Sequence, residues 1–160
     1  MRSWACALLA VSLLVSRGAA ADFNPLQPPA PEFPDGDAWI NAKPLTIARL
    51  KKHRVTLLAF LDTANLNSLR ALKVLNLWQQ TYATSGVMII GALTPIYSFQ
   101  RDPIVLRADA KRLGIDFPLI IDNDRRLWKA YANEGWPAFY LIDRKGRIVY
   151  SLLGEQRYTE

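Results

Sequence analysis

Continuous apolar runs alternate along the chain with segments whose apolar residues recur at helical spacing. The runs over residues 55–61 (VTLLAFL) and 87–93 (VMIIGAL) predict strands buried on both faces of a sheet, because neither alternates with polar residues. A third, shorter run predicts a strand over residues 117–121. The last two predicted strands, 138–142 and 147–153, are joined by Asp-Arg-Lys-Gly, which is typical of a hairpin turn.

Three helices are predicted between these strands. The first follows a short polar segment and ends at a Ser-Gly pair, the second covers residues 103–113, and the third covers residues 124–131. In the third, Leu127, Trp128 and Tyr131 are spaced to share one face. The first is expected to pack on the sheet through Leu69, Leu72, Leu75, Leu77 and Trp78. The order β-α-β-α-β-α-β-β predicts an α/β fold with a central mixed sheet flanked by helices.

The N-terminal residues have the layout of a cleavable secretory signal. Arg2 precedes a 12-residue apolar run over residues 4–15, and three alanines end at Ala21. Spanning a bilayer takes about 20 apolar residues, so a signal peptide over residues 1–21 is favoured over a membrane anchor. We therefore predict cleavage near Ala21, a periplasmic or secreted protein, and no integral membrane span.

Residues 22–37 form a proline-rich segment ahead of the domain. Five prolines lie between Asn24 and Asp37, and each fixes φ and removes a backbone donor. We expect an extended leader that takes no part in the core, followed by one globular domain over residues 38–160.

Charge and cysteine content narrow the function classes. The sequence carries a formal net charge of +6, with a basic cluster at Arg49, Lys51, Lys52, His53 and Arg54. No aromatic platform or recognition motif accompanies the cluster, so we interpret it as a solvated turn and expect no nucleic-acid partner. The single cysteine, Cys6, lies inside the predicted signal. The exported chain would then have no disulfide, no thiolate and no cysteine-ligated metal.

Four segments carry a resemblance to a known family. They are DAWINAKPLTIARLKKHRVTLLAF, GVMIIGALTPIYSF, AKRLGIDFPLIIDNDRRLWKAY and WPAFYLIDRKGRIVYSLLGE. Together they resemble the thioredoxin-like domains of the redoxin group (AhpC/TSA and TlpA), in particular those of DipZ-type and NHL-repeat proteins. The resemblance covers about residues 37–158. It implies a thioredoxin fold and thiol-disulfide oxidoreductase or peroxidase activity.

The same resemblance implies a Cys-x-x-Cys motif at the start of the first long helix. Its attacking cysteine would fall on Asn65 and its resolving cysteine on Ser68, within the segment Asn-Leu-Asn-Ser. Neither a hydroxyl nor a carboxamide can exchange with a disulfide at neutral pH. Two further departures from the family are Leu61, where a tryptophan is common, and Ala59, where many thioredoxins have an acid. We therefore expect no catalytic residue and no cofactor.

The altered motif has a structural and a functional interpretation. Asn65, Asn67 and Ser68 can accept bonds from the first N–H groups of the helix, so we expect them to cap it. The alternative is an anion or a peptide carboxylate bound at the same helix start. A hydrolytic role for Ser68 is disfavoured, since the one histidine, His53, would lie at the opposite end of the sheet.

By resemblance, Trp136-Pro137 occupies the position of the family's cis-proline, which lies against the active site and pairs with an extended peptide. We expect a cis bond there rather than a proline that merely begins a strand. The expected peptide groove consists of Thr63, Asn65, Leu66, Asn67, Thr94, Pro95, Trp136 and Pro137. Asp122-Asn123-Asp124 has too few ligands for a calcium loop and is expected to cap the following helix, so no metal site is predicted.

Family members continue with a C-terminal helix that covers one face of the sheet, whereas this sequence ends at Glu160. We expect that helix to be missing and the first long helix to share its face with nothing. A partner or a second protomer would cover the exposed surface.

These observations favour an extracytoplasmic thioredoxin-fold protein without redox cysteines that binds an extended peptide or a protein. The alternatives are a thiol-disulfide oxidoreductase or peroxidase, as the resemblance implies, and a truncated, decayed paralogue.

Overall fold

A seven-stranded mixed β-sheet forms the centre of the protein. The structure, a computed structural model, describes residues 22–23, 26–35, 39–50 and 55–155. The strands are β1 (Asp22–Phe23), β2 (Trp39–Ile40), β3 (Val55–Leu61), β4 (Val87–Leu93), β5 (Leu119–Ile121), β6 (Ala138–Ile142) and β7 (Ile148–Leu153). Their order in the sheet is β1-β7-β6-β3-β4-β5-β2. Strands β3, β4 and β5 are parallel, and the other neighbours are antiparallel.

From residue 55 onward helices connect the strands in the predicted order, whereas β1, β2 and the first helix lie ahead of it and were not predicted. The helices are α1 (Ile47–Leu50), α2 (Leu66–Tyr82), α3 (Pro103–Arg112) and α4 (Arg126–Ala130), with 3₁₀ turns at Ala83–Ser85 and Ser98–Arg101. No helix within the described ranges has the length and apolar character needed to cross a bilayer. The predicted signal peptide, residues 1–21, lies outside the described residues, as do residues 51–54 of the basic cluster.

The two faces of the sheet have separate apolar clusters. Successive residues of a strand point to opposite faces. Accordingly, Leu58 and Phe60 of β3 belong to the cluster under α1 and α4, and Ala59 and Leu61 belong to the cluster under α2 and α3. All four residues are fully buried, so β3 is central, as its continuous apolar sequence predicts.

Helix α2 does not stand alone on its face, which corrects the expectation from the sequence. Leu106 and Ala110 of α3 pack in the same cluster as Leu72 and Leu75 of α2. Helices α2 and α3 are successive crossovers along β3-β4-β5, and right-handed crossovers in one direction place their helices on the same face. The prediction failed because the strand order was not known from the sequence. Leu77 was expected to pack on the sheet but is 59% exposed.

The proline-rich segment contributes to the core, so the prediction that it would not is wrong. Phe33 is 4% exposed and contacts the Trp39 ring edge-on, with centroids 6.0 Å apart. Proline lacks an N–H, but its carbonyl still accepts: Ile148 N donates to Pro28 O at 2.9 Å, and Ala30 N donates to Gly146 O at 2.8 Å. The extended segment is thereby fixed along β7.

Several element boundaries are shorter than predicted. Strand β5 begins at Leu119 rather than 117, and the carbonyl of the preceding Pro118 accepts from Gly91 N at 2.9 Å. Strand β7 begins at Ile148, and α4 covers only Arg126–Ala130 of the predicted 124–131.

We expect Phe33→Ala to lower the free energy of unfolding by about 3–5 kcal/mol, because it leaves a cavity in the core. Phe99→Ala is a matched control, since Phe99 is 67% exposed, and should change it by less than about 0.5 kcal/mol. Urea unfolding measures both. Equal effects of the two substitutions would show that the proline-rich segment does not help to stabilise the domain.

Candidate functional site

The predicted site residues lie along one edge of the sheet. The parallel strands β3, β4 and β5 all end there, and antiparallel β6 begins there. Sheet order and register therefore place four residues side by side at this edge: Pro137, Asp62, Thr94 and Asp122. Ligand sites of parallel sheets form at the carboxyl ends of the strands, so this edge is the candidate site.

Asn65 caps helix α2. Its backbone is extended, with φ −89° and ψ 122°, and its Oδ1 accepts from Ser68 N at 3.0 Å. The capping expected of Asn65 is confirmed. Asn67, by contrast, is exposed in the first turn of the helix.

Ser68 is fully buried and does not cap the helix as expected. Its Oγ accepts from Asp62 N at 3.2 Å, so it closes the loop between β3 and α2 instead. A buried hydroxyl in this position has no access to a substrate. The structure thus gives no support to Ser68 as a nucleophile.

Asp62 organises the loops of this edge. Its Oδ1 accepts from Ala64 N at 2.7 Å and from Gln100 Nε2 at 2.8 Å, and its Oδ2 accepts from Ile96 N at 2.8 Å. The side chain is 1% exposed. One carboxylate therefore connects the loop after β3 to the loop after β4. Asp62 was not predicted as a site residue, although an acidic residue directly after a buried strand was a signal for it.

The side chains of the two threonines in the expected groove point into the protein and bond to other side chains. Thr63 Oγ1 donates to Asp109 Oδ2 at 2.7 Å and accepts from Gln100 Nε2 at 3.1 Å. Thr94 Oγ1 donates to Asp122 Oδ2 at 3.2 Å. Both side chains are buried, as are Pro95 and Pro137. Of the expected groove residues, Asn65, Leu66, Asn67 and Trp136 retain exposed surface.

An apolar rim borders the start of α2. We define it as Leu66, Ile96, Tyr97 and Phe99, which are 60%, 38%, 52% and 67% exposed. The Tyr97 and Phe99 rings are stacked, with centroids 5.6 Å apart. The bond from Ile96 N to Asp62 fixes their loop beside residues 62–65. Leu66 was predicted as a site residue, but the two aromatic residues were not, because in the sequence they are only apolar positions in an irregular loop.

Asp122 caps α4, as expected of the Asp-Asn-Asp turn. Its Oδ1 accepts from Leu127 N at 3.0 Å, and its Oδ2 accepts from Trp128 N at 2.9 Å. Its carbonyl accepts from Arg125 N at 3.0 Å, and Arg125 adopts a left-handed backbone conformation with φ 55°. Among the described residues, no group of three or more His, Cys, Asp or Glu side chains could hold a metal ion.

Trp136 belongs to an aromatic cluster at the same edge. The Trp136–Pro137 peptide bond is cis. The Trp136 ring lies 4.3 Å from that of Trp128, and the Arg125 guanidinium lies over both rings, 5.5 Å from Trp128 and 5.4 Å from Trp136. Within the described part of the chain, the buried Nε1 of Trp136 has no acceptor.

Tyr140 and Asn133 fix the loop that leads to Trp136. Its ring contacts Phe60 edge-on at 5.6 Å, and its hydroxyl donates to Asn133 Oδ1 at 3.1 Å. Burial, followed by the nearby Glu134 carboxylate, raises the pKa of Tyr140 to about 12, so the hydroxyl remains a donor at neutral pH. Asn133 also donates to Gly135 O at 3.1 Å, which fixes the loop ahead of Trp136.

We expect Asp62→Asn to lower the free energy of unfolding by about 2–4 kcal/mol. The new NH₂ group would face N–H groups that now donate hydrogen bonds to the carboxylate. Asp124→Asn is the matched control. The Asp124 side chain is 78% exposed, and its ion pair with Arg126 is worth at most about 1 kcal/mol. Chemical unfolding compares the variants, and a neutral Asp62→Asn would contradict the organising role of this carboxylate.

No protein-family model matches the sequence. The chain is similar to protein DipZ of Mycobacterium tuberculosis, with 35% identity over 133 residues, which is 81% of this chain and 19% of DipZ. It is also similar to human NHL repeat-containing protein 2, with 26% identity over 78% of this chain and 18% of that protein. The chain thus spans about a fifth of the length of these relatives.

A third relative is similar over most of its own length. Thiol-disulfide oxidoreductase YkuV of Bacillus subtilis is 26% identical over 77% of this chain and 82% of YkuV. Among solved structures, an oxidised thioredoxin-like protein superposes with a TM-score of 0.76 and 24% identity, covering 85% of this chain and 90% of that one. A thiol-disulfide isomerase from Corynebacterium glutamicum gives a TM-score of 0.71 and 23% identity, over 81% and 89%. These structures confirm the α/β fold with a mixed sheet flanked by helices.

Proposed function

Because this chain is a thioredoxin-like redoxin, we propose that it is an extracytoplasmic peptide- or protein-binding module that does not catalyse thiol-disulfide exchange. The observation that carries the proposal is that the sequence has a single cysteine, Cys6, while Asn65 and Ser68 stand at the start of α2, where the family resemblance implies a Cys-x-x-Cys motif. The extracytoplasmic location rests on the signal-like pattern of residues 1–21.

The chemistry of exchange supports this proposal. A thiolate must attack the disulfide, and a second thiol must resolve the mixed disulfide that forms. At the start of α2 this chain offers a carboxamide, which is occupied by capping, and a buried hydroxyl. Neither forms a covalent bond to sulfur under neutral conditions.

The exposed surface supports binding. The apolar rim exposes four large side chains beside the start of α2, where a solvated loop would ordinarily be polar. Asp62 fixes the rim to the sheet through its bonds to Ile96 and Gln100. A rim fixed in advance loses little conformational entropy when a peptide binds.

A redox function is the second candidate, since a relative of similar length is named a thiol-disulfide oxidoreductase. We expect the protein without its signal peptide to show no reduction of insulin by dithiothreitol above the uncatalysed rate. We expect the double variant Asn65→Cys/Ser68→Cys to gain activity, because a thiol at the cap position of α2 would have a lowered pKa and a second thiol one turn away. The single variant Asn65→Cys is the control and should lack full turnover. Insulin reduction by the unsubstituted protein would reject the proposal.

Binding itself is tested on an immobilised array of random 15-residue peptides. We expect the protein to retain a subset of peptides, and Phe99→Ala to lose about tenfold in affinity for them, the value of one well-packed aromatic contact. Leu77→Ala is the control, because Leu77 is a similarly exposed apolar residue in the body of α2. Retention of no peptide by the native protein would contradict a peptide-binding role.

A further inference from the structure

We propose that Arg125 holds an Asp or Glu side chain of the bound peptide, so that the site selects acidic segments. This inference rests on the proposed binding function and identifies the chemistry of the ligand. It begins from a guanidinium that is fixed in position but has no anionic partner among the described residues.

The guanidinium of Arg125 is held by two rings. It lies 5.5 Å from the centroid of Trp128 and 5.4 Å from that of Trp136, and the two rings are 4.3 Å apart. Both distances are within cation–π range, about 6 Å. An aromatic ring offers no oxygen acceptor, and among the described residues the guanidinium has no hydrogen-bond or ion-pair partner. Its planar donors are therefore available to bind a carboxylate with two parallel hydrogen bonds.

The nearest acidic residue in sequence is otherwise engaged. Asp124 Oδ2 lies 4.0 Å from Nε of Arg126, on the other side of Arg125 in the chain. The buried Asp122 uses both carboxylate oxygens on the N–H groups of Leu127 and Trp128. In the described part of the chain, therefore, neither of these carboxylates neutralises Arg125.

The backbone at Arg125 indicates that the side chain is not there for the turn. With φ 55° and ψ 31° the residue is left-handed, a conformation that favours glycine or asparagine over arginine. The turn is already fixed by Asp122, whose carbonyl accepts from Arg125 N at 3.0 Å. The turn therefore gives no reason for an arginine here, whose side chain instead lies over the Trp128 and Trp136 rings.

Arg125 also lies next to the proposed groove. Its partner Trp136 directly precedes Pro137 at the edge where β6 begins. Asn123 Nδ2 donates to Arg101 O at 2.6 Å, which joins the turn of Arg125 to the 3₁₀ turn that carries Phe99. A peptide that contacts the apolar rim would bring a neighbouring acidic side chain towards Arg125.

The test uses the same array, with peptides attached through their C-termini so that only side-chain carboxylates are presented. Peptides retained by the native protein should be enriched in Asp and Glu. Replacing Asp by Asn and Glu by Gln in these peptides should weaken binding about tenfold. Arg125→Gln should abolish the enrichment. Arg125→Lys should restore it only in part, because lysine lacks the planar pair of donors.

Arg126→Gln is the matched control, because the Arg126 side chain is 88% exposed and its charge lies one residue away. It should keep the enrichment. Thermal unfolding checks that Arg125→Gln is folded, and Arg125→Gly provides a second variant in which the left-handed turn is unstrained.

The outcomes separate the two proposals. Peptides retained without acidic enrichment, or enrichment that survives both Arg125→Gln and Arg125→Gly, overturn this inference and leave the binding function in place. The inference is also overturned if the protein binds no peptide attached through its C-terminus but binds soluble peptides that have a free C-terminal carboxylate. If the native protein binds neither attached nor soluble peptides, the binding function fails, and this inference fails with it.

Discussion

The buried carboxylate of Asp62 is the constraint on which the candidate site depends. It lies at the end of the central strand β3 and accepts from Ala64, Ile96 and Gln100, so it fixes both the approach to α2 and the loop after β4. A buried carboxylate is stable only when donors surround it. Loop positions that would otherwise vary are therefore tied to the most buried part of the sheet.

In this arrangement the shape of the site does not depend on a thiol. Asn65 and Ser68 stand where the family resemblance implies a Cys-x-x-Cys motif. The Asn65 side chain accepts from Ser68 N within the first turn of α2, and Ser68 Oγ accepts from Asp62 N. Neither bond needs a thiol, so the edge keeps its shape without cysteines. Asp122 plays the same organising role two strands away, after β5, where it caps α4 and supports the turn that presents Arg125. The result is a preorganised surface with an apolar rim at one side and a cation at the other.

The sequence predicted the sheet better than it predicted the site. Strands β3 and β4 were found at their exact bounds because buried parallel strands are continuously apolar. Local signals also sufficed for the cap at Asn65. The side chain of Thr63 was predicted to line the groove because its partner Asp109 is distant in sequence. Phe33 was predicted to lie outside the core because the surrounding segment is rich in proline, yet it packs in the core around Trp39. Side-chain direction at the ends of strands is decided by such long-range bonds, which have no periodicity to read.

The most direct test of the account is a map of backbone amide NMR shifts on titration with an acidic peptide selected from the array. Binding at the proposed site predicts shifts concentrated in three regions: the start of α2, the loop over residues 96–101, and the residues around Arg125 and Trp136. Residues of the turn between β6 and β7, which lies at the other end of the sheet, should not change. Shifts confined to that turn would contradict the claim that this edge is a binding site without redox chemistry.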